Sequence, residues 1–233
     1  MYREQIEIEY QKFFNEFGVD EKSGESEKLP GKKFATYPYI GSKYPTAKKK
    51  ILFVGLDIGK DETPGKYQTL ADRNMAIESR FKDVILNSPH ISGTYCSALY
   101  LLKEEYNWED IWLEFSKYST YRQATKVKHH RDGENPLSFV SLTNLHKFVT
   151  IGRKNRAGDD DRVHKESATL ESLKKLLLKE IEILKPDVVL FQKEQKLDII
   201  SQIEELDIRV ILAPHPANRK KGGMNPKNYT DAF

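Results

Sequence analysis

The sequence predicts a three-layer α/β/α fold, in which helices cover a mostly parallel central sheet. Strand-like apolar runs alternate with amphipathic helical segments from residue 50 onward. This alternation typically builds parallel sheets, because a helix returns the chain to the edge where the next strand starts. The chain has 233 residues, of which 38% are hydrophobic. A chain of this size can bury one sizeable core.

The N-terminal segment predicts an extension ahead of this domain. Residues 4–17 predict an amphipathic helix, with aromatic and aliphatic side chains at helical spacing. Residues 19–33 are charged and predict an exposed loop. Residues 34–46 are rich in Tyr and Pro, and such a segment either packs across the body or lines a groove. We therefore predict an extension of residues 1–46 and a domain of residues 47–233.

Four apolar segments of the domain predict strands. Residues 50–56 form a continuous apolar run, which is typical of a strand buried on both faces. The other predicted strands cover about 138–143, 187–191 and 208–213. Helices are predicted at 69–87, 93–106, 108–117, 165–185 and 194–205. The stretches that remain are polar or rich in Gly and predict loops.

Composition restricts the class of protein. The net charge of +3 is only mildly basic, and a nucleic-acid footprint is expected above a pI of about 9. Basic clusters at 122–131 and 219–221 are either solvated faces or nucleic-acid contacts. No apolar stretch approaches about 18 residues, the length that spans a membrane. The first residues lack the apolar core of a signal peptide, so we expect a cytoplasmic protein with no membrane partner.

Metal and redox sites are not predicted. The single cysteine, Cys96, excludes an internal disulfide and a four-cysteine iron–sulfur cluster. It lies in an apolar helical segment, which indicates a buried and inert thiol. His129-His130 and the acidic run 159–161 lack the spacing of metal ligands, because neighbouring residues rarely converge on one ion. We predict no metal and no other cofactor.

Polar residues follow three of the predicted strands. Asp57 comes after the first strand, Asn144 after the second and His215 after the fourth. Ligands of open α/β sheets bind outside the carboxyl ends of the strands. These three side chains are therefore candidates for one pocket.

Each of the three residues also has a structural interpretation. Asp57 stands between Gly55 and Gly59, which let the backbone approach a ligand, but a turn aspartate can simply cap a helix. Asn144 offers one acceptor and two donors to a base, or to loop backbone. His215 is held between two prolines, so a neutral imidazole could donate to a developing anion or stand in a surface turn.

Together these segments resemble the uracil-DNA glycosylase superfamily. Its members carry a motif G-x-[D/N/E/A]-P-[Y/G], an asparagine often found in T-N-x-x-K, and a final H-P-[S/A]. The corresponding phrases of this chain are Gly55-Leu56-Asp57-Ile58-Gly59, Thr143-Asn144-Leu145-His146-Lys147 and His215-Pro216-Ala217. The resemblance covers roughly residues 50–220 and implies a uracil-DNA glycosylase-like fold.

The resemblance implies a role for each motif. Asp57 would position the attacking water or stabilise positive charge on the sugar. Asn144 would bind the Watson–Crick edge of a flipped uracil, and His215 would bond the uracil oxygen that gains charge. Gly55 and Gly59 would shape the base pocket.

Further roles follow for the aromatic and basic residues. Tyr67 and Phe81 are the candidates for the aromatic side chain that stacks on the base. The loop after His215 would press on the opened DNA and contact phosphates; it contains Asn218, Arg219, Lys220 and Lys221. The implied partner is DNA, and nothing in the chain demands more than a monomer.

Two departures from the family pattern keep other functions open. Ile58 replaces the usual proline, and Gly59 stands where some members have a tyrosine that excludes thymine. A non-catalytic protein of the same fold that binds a base or nucleic acid is one alternative. An unrelated α/β hydrolase or transferase is another, although the chain lacks a G-x-S-x-G elbow and a P-loop.

Overall fold

The computed structural model describes residues 2–55, 60–82, 89–102, 110–111, 135–154, 167–192 and 198–214. It describes side chains in these ranges except those of residues 78–82, 89–92 and 167–168. The described part contains five α-helices and seven strands. The helices are α1 (Tyr2–Phe17), α2 (Leu70–Lys82), α3 (Pro89–Leu102), α4 (Ser167–Leu184) and α5 (Ile199–Glu204). The strands are β1 (Lys32–Phe34), β2 (Tyr39–Ile40), β3 (Ile51–Gly55), β4 (Val140–Asn144), β5 (Phe148–Thr150), β6 (Val188–Phe191) and β7 (Arg209–Leu212).

Five strands form one sheet in the order β2-β4-β3-β6-β7. Strand β6 pairs in parallel with both β3 and β7, and Val54, Phe191 and Leu212 stand in register near the carboxyl ends. Strand β2 pairs antiparallel with β4. The structure therefore confirms the predicted α/β class with a mostly parallel sheet, and the four predicted strands are present within a few residues of their expected bounds.

Strands β1 and β5 form a separate antiparallel pair, in which Phe34 stands opposite Phe148. The sequence did not predict this pair, and it predicted residues 19–33 as an exposed loop. That prediction was wrong in part, because Ser26, Leu29 and Lys33 are buried. The predicted helix at 108–117 is described only at residues 110–111.

The described residues fall into two compact units. The first draws on residues 1–38, 55–73 and 143–185, and the second on residues 39–54, 74–142 and 186–233. The first unit thus contains α1, the β1–β5 pair and α4. The second contains β2, most of β3 and β4, and β6 and β7. The predicted division of the chain at residue 46 stays a prediction.

The core of the second unit is apolar. It is built from side chains of the sheet and of α3, among them Phe53, Tyr95, Leu99, Val140 and Leu190. Every residue of β3 and of β6 is buried, as expected for strands covered on both faces. Cys96 belongs to this core, and burial raises the pKa of its thiol. The prediction of an inert thiol is consistent with that environment.

The core of the first unit is an aromatic cluster. We define it as Tyr10, Phe13, Phe14, Phe17, Phe34, Tyr37, Tyr67 and Phe148. Tyr10 and Tyr37 stack with ring centroids 4.4 Å apart, and most other pairs are tilted or edge-to-face, which are preferred aromatic geometries. The predicted apolar face of α1 is the face that supplies four of these rings. The aromatic residues of 34–46 pack inside the protein, since Phe34, Tyr37, Tyr39 and Tyr44 are buried.

None of the described helices combines the length and the apolar character that a membrane crossing requires.

Candidate functional site

The ends of strands β3 and β4 lie side by side. The backbone N–H of Leu145 donates to the carbonyl oxygen of Gly55 at 2.9 Å. A Cβ atom built on Gly55 would come closer than 3.0 Å to Oδ1 of Asn144. The amide of Asn144 therefore occupies space that any side chain at position 55 would need. The structure brings together two of the residues that the sequence predicts for base binding.

A cluster of buried polar side chains holds the turn that follows β4. Nζ of Lys147 donates to Oγ1 of Thr143 at 2.6 Å and to Oε1 of Glu180 at 2.7 Å. The Tyr10 hydroxyl donates to the same Oε1. The side chains of Lys147 and Glu180 are 2% and 0% exposed. We call these four residues the Lys147 network.

Burial dominates the electrostatics of this network. It lowers the pKa of Lys147 from its usual 10.5, although the charge and hydrogen bond of Glu180 act in the opposite direction. Burial also raises the pKa of Tyr10 well above 10.0, and the negative charge of Glu180 raises it further. Tyr10 therefore stays protonated and acts as a donor. A buried charge that keeps a partner and hydrogen bonds in this way is tolerated, whereas an unpaired one is not.

A second buried ion pair fixes the loop that follows the first motif. Nζ of Lys33 lies 2.8 Å from Oδ1 of Asp61, and both side chains are 1% exposed. The same Nζ donates to the carbonyl oxygens of Thr63 and Lys66. The backbone N–H of Gly152 donates to Oδ2 of Asp61 at 3.0 Å. The loop is thus fixed from residue 61 onward.

The charge of this aspartate is stabilised by its donors. Burial raises the pKa of Asp61, but the hydrogen bonds from Lys33 and Gly152 and the charge of Lys33 outweigh burial and hold the pKa below 3.8. Lys33 and Asp61 also line a shallow cleft with Thr63 and Gln68. The sequence reasoning missed this pair, because Lys33 belongs to a stretch whose charges suggest exposure.

Tyr67 lies in the aromatic cluster, and Phe81 lies in α2. The Tyr67 ring contacts those of Phe34 and Phe14 at centroid distances of 5.4 and 5.6 Å, and the residue is partly exposed. The side chain of Phe81 is outside the described part. A base-stacking role for either aromatic residue stays a prediction.

The remaining predicted site residues lie outside the described residues. These are Asp57, Gly59, His215, Asn218, Arg219, Lys220 and Lys221. The strand that precedes His215 is described as far as Pro214, and the N–H of Ala213 donates to the carbonyl oxygen of Phe191 at 2.9 Å. Within the described ranges, no three His, Cys, Asp or Glu side chains are grouped as they would be around a metal ion.

One polar residue at a strand end escaped the sequence reasoning. Gln192 follows β6 directly, and its N–H donates to the carbonyl oxygen of Val54 at 2.9 Å. Its Nε2 donates to Oγ1 of Thr94 in α3 at 2.6 Å, and the side chain is buried. The signal was available, because a polar residue ending an apolar run is the pattern that identified Asn144.

Comparison with known proteins gives no family. No protein-family model matches the chain, and the search of curated proteins found no match.

Proposed function

We propose that the protein is a DNA glycosylase that hydrolyses the N-glycosidic bond of uracil, or of a related deaminated base, in DNA. It would act as a cytoplasmic monomer with the three-layer fold of the uracil-DNA glycosylase superfamily. The observation that carries the proposal is the close approach of the Asn144 amide to Gly55 at the ends of β4 and β3. Ligands of α/β sheets bind at this edge.

The chemistry of Asn144 suits the edge of uracil. A carboxamide both accepts and donates, and uracil presents an N–H next to a carbonyl oxygen. Cytosine presents the opposite pattern, so an amide held in one orientation distinguishes the two bases. Asn144 is partly exposed at the end of β4. Its amide is therefore suited to contacting a base that has left the duplex.

In this proposal the glycosidic bond breaks heterolytically. Its electron pair leaves with uracil, and His215 donates a hydrogen bond to the uracil oxygen that gains negative charge. Asp57 stabilises positive charge on the sugar or positions the water that adds to the anomeric carbon, and the proton that this water loses neutralises the uracil anion. The basic segment 218–221 contacts phosphates, so binding weakens with added salt.

A non-catalytic base-binding or nucleic-acid-binding function is the second candidate. The replacement of the motif proline by Ile58 and the presence of Gly59 favour it. The Asp57→Asn variant separates the two functions. In an enzyme, cleavage collapses while DNA affinity persists, whereas in a binding protein neither property changes much.

The test is cleavage of labelled single- and double-stranded oligonucleotides that contain one uracil, with alkali used to reveal abasic sites. Wild-type protein should cleave, and the Asp57→Asn, Asn144→Ala and His215→Ala variants should lose activity. Asn135→Ala is the matched control, because Asn135 caps a short helix through its 3.0 Å bond from the Leu137 N–H. If folded wild-type protein leaves uracil, hypoxanthine and xanthine uncleaved, the glycosylase proposal is wrong.

A further inference from the structure

The end of β4 and the turn that follows it are held at three neighbouring points. Thr143 is bound by Nζ of Lys147, and the Leu145 N–H donates to Gly55. The carbonyl oxygen of Lys147 accepts from the N–H of Ala35 at 2.9 Å. Asn144 lies between the first two points. Side chains alternate along a strand, so the buried Thr143 can be held on one face while Asn144 projects from the other.

Burying the ammonium group of Lys147 to hold a turn carries a high desolvation cost. Removing an ammonium and a carboxylate from water costs several kcal/mol per ion, and replacing such a pair with apolar groups is often neutral or stabilising. Stability alone therefore does not account for the Lys147 network. The network instead fixes the position of Thr143 relative to Glu180, because Lys147 binds both side chains at once.

We propose that Lys147 is a positioning residue that holds the Asn144 amide in place at the end of β4. The network extends this role to two helices, since Tyr10 comes from α1 and Glu180 from α4. The N-terminal helix thereby contributes to the geometry of the site without touching a substrate. The use of this geometry for base recognition rests on the proposed function.

The test distinguishes a loss of the position of Asn144 from a loss of protein stability. Lys147→Met removes the ammonium and leaves Glu180 buried without its cation. The triple variant Tyr10→Phe/Lys147→Met/Glu180→Leu removes the whole set of charges and restores an apolar interior. Phe17→Leu serves as the control, because Phe17 packs in the same unit against Phe13 and Phe148 at 4.8 and 5.2 Å between centroids. It should lower Tm without changing the network.

Two readouts do not depend on catalysis. They are hydrogen exchange of the Leu145 amide and the NMR shifts of the Asn144 side-chain NH₂ group. We expect Lys147→Met to lower the protection of Leu145 about 10-fold or more relative to the Gln192 amide, which donates to the carbonyl oxygen of Val54 in β3. We expect the triple variant to recover most of its Tm while the Leu145 and Asn144 signals stay altered. Phe17→Leu should leave both signals unchanged.

Uracil release supplies the third readout. In both Lys147 variants kcat/KM should fall about 10- to 100-fold, the effect of a misplaced contact residue. The inference is overturned if Leu145 protection and the Asn144 shifts in the triple variant return to wild-type values together with Tm. If wild-type protein releases no uracil, the proposed function fails, and the two spectroscopic readouts still decide whether Lys147 positions Asn144.

Discussion

The two units differ in what their cores contain. Among the described residues, every buried charged side chain lies in the first unit; these are Lys33, Asp61, Lys147, Lys174 and Glu180. The second unit buries uncharged polar residues only, such as Thr94 and Gln192, beside its apolar core. Apolar packing tolerates exchanges of similar volume, whereas a buried ion pair fails when either partner is removed. The structure of the first unit thus depends on particular buried ion pairs, whereas that of the second depends on side-chain volume and on the pattern of apolar residues.

The largest effect is expected at Lys33. Lys33→Met leaves the buried Asp61 carboxylate without its cation, and it removes one of the two donors to each of the carbonyl groups of Thr63 and Lys66. We expect a loss of about 3–5 kcal/mol in the free energy of unfolding, measured by urea denaturation. The double variant Lys33→Met/Asp61→Leu should recover part of that loss. An unchanged midpoint in the single variant would contradict the comparison.

The second unit should respond to volume instead. Leu190 is buried in its core, and Leu190→Ala should cost about 2–5 kcal/mol through lost burial and a cavity. Leu190→Met keeps the volume and should cost less than about 1.5 kcal/mol. The same denaturation experiment measures both. Equal losses of unfolding free energy in the two variants would show that this core requires one particular side chain, as the ion pairs do.

Two glycines test close packing in the two units. A Cβ on Gly41, in the second unit, would come closer than 3.0 Å to the backbone of Ser138 and Val140. Backbone cannot move aside, so Gly41→Ala should cost about 1–3 kcal/mol of unfolding free energy. Gly55→Ala meets a side-chain amide that can rotate away. It should therefore lower stability less, while uracil release falls because Asn144 is displaced. A larger loss of unfolding free energy in Gly55→Ala than in Gly41→Ala would refute this expectation.

The smallest effect is an alkaline loss of stability. Burial raises the pKa of Tyr10, Tyr37 and Tyr67 above 10.0. Their contribution is complete below pH 10.0 and is lost as the pH rises toward the folded values, because the unfolded chain gives up these protons first. The lowered pKa of Lys147 acts in the opposite direction and reduces the loss.

The measurement is Tm between pH 8 and 11, chosen to cross the ordinary tyrosine pKa of about 10. Wild-type Tm should fall in the upper part of this range, and Tyr37→Phe should fall less steeply. A Tm that stays constant, or a Tyr37→Phe curve parallel to wild type, would contradict the assignment to these tyrosines.

The sequence predicted the second unit better than the first. Continuous apolar runs identified β3 and β6, because a strand covered on both faces needs apolar residues at every position. Strands β1, β2 and β5 have two or three residues each. So few residues carry no measurable periodicity, which is why these strands were missed.

The candidate site was predicted in part for a related reason. Gly55 and Asn144 were found because each ends an apolar run. The Lys147 network was missed because burial of an ionic residue depends on partners distant in the chain. A signal existed for Glu180, which continues the spacing of Leu173, Leu177 and Leu184 on the buried face of α4. A charged residue at an apolar-face position therefore indicates a partner elsewhere.

The bond between Tyr10 and Glu180 joins residues 170 positions apart. A ribosome that adds about 5–20 residues per second makes Glu180 roughly 8–35 seconds after Tyr10. During that interval the aromatic face of α1 lacks the helix against which it packs, and exposed apolar surface of this kind attracts chaperones and neighbouring chains. Slow synthesis would lengthen this exposure, so the yield of folded protein should depend on translation speed between these two residues.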